Sequence, residues 1–219
     1  MGETCRVRVW DLPTRLFHWL IVALVAAAYA TLRLNWMQWH GWAGEALLAA
    51  LIFRLLWGFF GSDTARFSHF LGSPRVATRY LRRSLVREPD LQIGHNPAGG
   101  WMILLLLVLL LAETLTGIYV ANDVADVGPL TEITPAQVAN AITTAHGVLW
   151  NILLAAIALH ILAIAGYAWA KGQNLLLPMI SGTKRLPLDM PAPRLAGPMR
   201  AIVLAALSAA ATVALVRLV

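Results

Sequence analysis

The chain has 219 residues, of which 59% are hydrophobic and only 13% charged. That balance excludes an ordinary soluble domain and suits an α-helical membrane bundle of four or five spans, at about 20 residues each plus connections. The single cysteine, Cys5, excludes an internal disulfide and any iron–sulfur or zinc centre held by several thiolates, and the net charge of +6 matters less than where the charges fall.

Five apolar runs follow one another along the chain. The start, "MGETCRVRVWDLPTRLFHWL", has no small-residue cleavage site after its first apolar run, so that run reads as a span and not as a removable leader. The first span is expected from about Leu16 to Leu34 and the second from about Trp42 to Phe60. The third runs from about Trp101 to Val120, the fourth from about His146 to Trp169, and the fifth from about Ala201 to Val216. Each is near the length a helix needs to cross hydrocarbon, and helices satisfy their own backbone where no water is at hand. The fifth is short, rich in alanine and preceded by "LPLDMPAPRLAGP". The expected organisation is a four-helix domain over residues 1–186, then a proline-rich linker and a fifth helix over residues 187–219.

The connections sort by charge. The N-terminal tail carries Arg6, Arg8 and Arg15, and the second connection Arg66, Arg75, Arg79, Arg82, Arg83 and Arg87. With Lys171, Lys184, Arg185, Arg194 and Arg200 after the fourth run, fourteen of the 17 basic residues fall on one side. The third connection holds Asp123, Asp126 and Glu132 with no Lys or Arg. By the positive-inside rule the N-terminus is cytoplasmic and the acidic connection lies outside. The tryptophans, Trp57 and Trp150 among them, mostly fall near the ends of the runs, as an aromatic belt would. "GHNPAGGW" is rich in glycine but lacks dinucleotide-binding spacing.

Six histidines remain to be placed: His18, His40, His69, His95, His146 and His160. In a helix, the fourteen residues from His146 to His160 rise about 21 Å and bring the two side chains to within roughly 40° of one face. His146 would then lie near the outer surface and His160 deeper. His40 opens the second run at the outer end, and His18 opens the first at the cytoplasmic end. Topology therefore pairs His40 with His146 and His18 with His160. Two imidazole pairs at two depths are what two bis-histidine haems require, and a bundle core is a standard place for them. A single membrane histidine is more often a packing residue or a proton relay, and membrane histidines also serve metal transport. Transport would favour closely spaced ligands, and no such cluster stands out.

His69 reads as an exposed loop residue. His95 opens the third run and could bond a haem propionate, handle a proton at a quinone site or compete as an axial ligand. Arg15 and Arg54 could neutralise propionates. Gly41, Gly44, Gly117 and Gly147 would lie near the outer pair, where a flat macrocycle needs small neighbours. Arg54 and Glu113 fall inside apolar runs, where a charge needs a partner, and their depths suggest no pairing with each other.

"VWDLPTRLFHWL", "WHGWAG", "GHNPAGGW" and "AHGVLWNILLAAIALHI" together resemble the bacterial cytochrome b561 family over residues 7 to 186. That family includes the b-type subunit of nickel–iron hydrogenases and the related superoxide oxidases. The resemblance implies a four-helix core with two b haems on His18, His40, His146 and His160. It implies electron transfer between quinone in the bilayer and a periplasmic redox partner, such as a c-type cytochrome, a hydrogenase or a molybdenum enzyme. His95 falls in the "GHNP" signature. A superoxide:quinone oxidoreductase is the alternative from the enzyme class, although only Arg33 is available outside to attract an anion. A non-haem metal transporter or a membrane anchor is the third. The expected setting is the bacterial cytoplasmic (inner) membrane.

Overall fold

The computed structural model describes residues 3–82, 91–120, 128–131 and 134–217. Among the described residues the protein is mostly helical, with five helices long and apolar enough to cross a membrane. These are α1 (Leu12–Arg33), α2 (Met37–Phe60), α5 (Pro97–Gly117), α6 (Ala136–Lys171) and α8 (Pro198–Arg217). Three short helices, α3 (Phe67–Phe70), α4 (Pro74–Arg82) and α7 (Leu176–Ser181), join them, with strands β1 (Thr4–Arg8) and β2 (Thr183–Pro187). Large apolar side chains such as Leu20, Val108, Ile161, Leu162 and Val213 are exposed along the spans. On a soluble protein so much apolar surface would drive aggregation; on a span it is the face turned to lipid.

All five expected spans are present, with shifted ends. α1 begins four residues early because Asp11 caps it: its Oδ1 accepts the Thr14 N–H at 2.7 Å, while Pro13 sits in the first turn, where its missing N–H costs nothing. α6 begins ten residues before His146 and runs for 36 residues, about 54 Å, well beyond a hydrocarbon core of about 30 Å. Its first turns are uncharged and contain alanine, and no glycine or proline breaks them.

The chain divides into two compact units. One comprises Met1–Leu16, Leu55–Leu105 and Ile157–Ala201. In it β1 and β2 pair antiparallel, with Cys5 opposite Leu186 and Val7 opposite Lys184. The inner face of the strands buries Val7, Val9, Trp10 and Leu186 against Ile93, Met179 and Met190. α5 starts at a second cap, Asn96, whose Oδ1 accepts the Gly99 N–H at 2.7 Å. The adjacent Gly100 lets the Phe70 carbonyl approach so closely that a Cβ there would lie 2.6 Å from it. The proline-rich segment before α8 is stitched back to the end of α2: the Asp63 N–H donates to the Arg194 carbonyl, the Arg194 N–H donates to Asp63 Oδ2 at 3.0 Å, and the Ala196 N–H donates to Ser62 Oγ at 2.9 Å.

The other unit comprises Phe17–Arg54, Leu106–Ala156 and Ile202–Val219. Its core is Leu48, Ile118 and Leu130, with Ile52, Leu111, Tyr119 and Leu215 packed against them. Ser208, Thr212 and Val216, four residues apart, form the buried seam of α8. Asn35, in the left-handed region at φ 57°, makes the reversal between α1 and α2. The acidic residues Asp123, Asp126 and Glu132, and the basic Arg83 and Arg87, lie outside the described residues.

Candidate functional site

His40 and His146 belong to the same unit and lie within electrostatic reach of one another. His40 Nδ1 is 2.9 Å from the Ala28 carbonyl of α1. A carbonyl only accepts, so the ring carries its proton on Nδ1 and keeps the Nε2 lone pair bare. His146 is placed by α5. Thr116 Oγ1 lies 2.8 Å from the Ala112 carbonyl and 3.0 Å from that of Glu113, so its single proton is committed to the backbone. The same oxygen, 3.0 Å from His146 Nδ1, then accepts from the ring. Both histidines are half-buried, and His40 presents Nε2 as a nitrogen donor.

Glu113 is one turn from Thr116 and places Oε1 3.4 Å from His146 Nε2. This supplies the partner that its position in an apolar run demanded. Gly117 completes the cradle, since a Cβ there would lie 3.3 Å from His146 Cε1. At Gly41, Gly44 and Gly147 a Cβ would meet no heavy atom within 4 Å, so these three glycines are not needed for helix contact.

His18 lies on α1 in the same unit, half-buried, with its ring edge-on to Trp19 at 4.9 Å. His160 lies on α6 in the first unit, also half-buried. Arg54 is buried at 3% exposure. Arg15 donates to the Ile180 carbonyl at 2.6 Å, which ties the start of α1 to α7.

His95 sits between two aromatic rings, Trp10 at 4.4 Å and Phe70 at 4.9 Å. It lines an open cleft of about 320 Å³ with Asp63, His69, Ile93 and Arg194. His69 is exposed, as expected, but it shares this cleft. Trp57, expected in the belt, is fully enclosed and donates its indole N–H to Asp11 Oδ2 at 3.0 Å. Asp11 and Thr116 were not singled out by sequence reasoning. An Asp one residue before "LPT" is a helix-start signal, and the spacing of Glu113, Thr116 and Gly117 places all three on one helical face.

Five spans and polar side chains gathered inside apolar helices define a multi-pass membrane protein with an imidazole-bearing interior. Residues 9–182 match the family model described as prokaryotic cytochrome b561, and the chain belongs to that family. It is therefore a multi-pass membrane protein of the b-type cytochrome class, a class that binds haem b. A curated relative from Rhizobium leguminosarum bv. viciae, described as a probable Ni/Fe-hydrogenase B-type cytochrome subunit, is 28% identical over 52% of this chain. The chain spans 59% of that relative's length. No solved structure matches.

Proposed function

We propose that this protein is a dihaem cytochrome that moves electrons across the bacterial inner membrane, between the quinone pool and a periplasmic redox protein. The partner would be a c-type cytochrome, a hydrogenase or a molybdenum enzyme, and the relative's description favours a hydrogenase. The observation that carries the reading is the state of His40 and His146. Each ring sets its Nδ1 against a fixed oxygen; His40 keeps Nε2 for iron, while that of His146 faces the Glu113 carboxyl. The space beside Gly41, Gly44 and Gly147 suits a flat macrocycle. An iron at His146 would require the Glu113 carboxyl to swing off Nε2.

In this reading His40 and His146 hold the outer haem, and His18 and His160 the inner one. Haem b, when bound, supplies a one-electron couple in a medium that a bare charge crosses only at high cost. Arg15 and Arg54 balance propionate charge. His95, held between Trp10 and Phe70, offers a ring nitrogen to a quinone carbonyl or a propionate in its cleft. Residues 1–186 form the haem domain, and residues 187–219 add the linker and fifth span. The arginine-rich face is cytoplasmic.

The test is a reduced-minus-oxidised spectrum of the detergent-purified protein, with haem counted per chain. Two low-spin b haems are expected. His40→Ala or His146→Ala should each remove one, and His18→Ala or His160→Ala the other. One haem per chain would break one pairing and make His95 the first suspect. A protein with no haem would sink the electron-transfer reading in favour of metal transport or anchoring.

A further inference from the structure

The arginines of α4 do work that the haem reading leaves unexplained. Arg75, Arg79 and Arg82 recur at i, i+4 and i+7, so they share one face of the helix, and all three are exposed. Ala77, on the opposite side, is buried against the protein. Among the described residues no carboxylate pairs with any of the three arginines. The two sides of the buried seam carry Val76 and Leu81, which are 44% and 52% exposed. An exposed apolar edge beside a cationic face is the pattern of a helix lying in a membrane interface.

Two contacts fix the depth of α4. The Trp101 indole N–H, in the first turn of α5, donates to the Gly72 carbonyl at 3.1 Å, just before α4 begins. The ammonium of Lys171, the last residue of α6, lies 5.3 Å from the Tyr80 ring centroid. Both anchors sit at the ends of spans, where tryptophan, tyrosine and lysine mark the boundary between hydrocarbon and headgroups. In a bilayer these anchors would set α4 at headgroup level.

We propose that α4 is a docking strip for anionic phospholipid. The guanidinium groups of Arg75, Arg79 and Arg82 bind headgroup phosphates, while Val76 and Leu81 rest on the upper acyl chains. Guanidinium suits this role because its donors match phosphate oxygens in a bidentate fork. A soluble acidic protein would use the arginines but leave the apolar edges bare, so the lipid is the occupant that fits both. The proposal stands apart from the haem assignment and does not depend on it.

The experiment is native mass spectrometry of the full-length protein, released from bilayers of mixed phosphatidylglycerol and phosphatidylcholine. The wild type should retain phosphatidylglycerol about tenfold in excess over its share of the bilayer. R75Q/R79Q/R82Q should bring that ratio near parity, with helix content by circular dichroism unchanged. Should the triple variant fail to fold, the single R79Q should give a partial loss, and R75K/R79K/R82K should keep most of the preference. V76S/L81S should weaken lipid retention while the arginines remain. An unchanged preference in the arginine variants would overturn the proposal. So would equal displacement of phosphatidylglycerol by inorganic phosphate from the wild type and V76S/L81S, because the site would then be taking the free anion.

Discussion

The proposed ligand His146 takes its character from the two side chains its ring leans on. Thr116 accepts the Nδ1 proton, and Glu113 lies against Nε2. The first contact fixes the tautomer that an iron ligand needs, and it makes the imidazole a stronger donor. Thr116→Val keeps the shape and removes the acceptor. In the bis-histidine reading, haem affinity at that site should fall by about 10–100-fold. If the hydrogen bond favours the oxidised state by about 1 kcal/mol, its loss raises the midpoint potential of that haem by roughly 40 mV. Thr116→Ser should restore both. Redox titration of the two haems separates this from a general loss of packing, which would not spare the second haem or respond to the serine.

The elements divide into those whose cause is local and those whose cause is not. The five spans were legible because each is a long apolar run, and lipid accepts little else. The start of α1 could also have been read, from Asp11 and Pro13. β1 and β2 could not: "TCRVR" and "TKRLP" are short, basic and about 180 residues apart, and no turn signal joins them. Of the site, the four proposed ligands follow from spacing and topology. Thr116 does not, because a threonine in a span usually bonds only its own helix, and its second contact depends on where α6 packs. Asp11 joins both kinds of cause. It caps α1 with one oxygen and accepts the buried Trp57 indole with the other. Asp11→Ala should lose the cap, worth about 1 kcal/mol, and leave a buried donor unmet at about 1–3 kcal/mol, for a total of about 2–4 kcal/mol. Trp57→Phe should lose less because the cap survives. Unfolding of both variants in detergent, followed by circular dichroism, checks the order.

At the scale of the whole molecule, charge asymmetry argues for one orientation. Fourteen of 17 basic residues fall on the connections of one side, while the third connection is acidic. An orientation with that excess outside would place the arginine-rich tail and second connection across the membrane, against the bias that sets insertion. The single cysteine makes this testable with little engineering. Cys5 is half-buried in β1, so Cys5→Ser gives a clean background and Thr4→Cys an exposed reporter beside it. Pro129→Cys reports on the third connection, where residue 129 is exposed. A membrane-impermeant maleimide added to intact spheroplasts should label Pro129→Cys and leave Thr4→Cys unlabelled until the cells are lysed. The reverse pattern would turn the molecule over: the His40 and His146 pair would face the cytoplasm, and the redox partner would have to dock there.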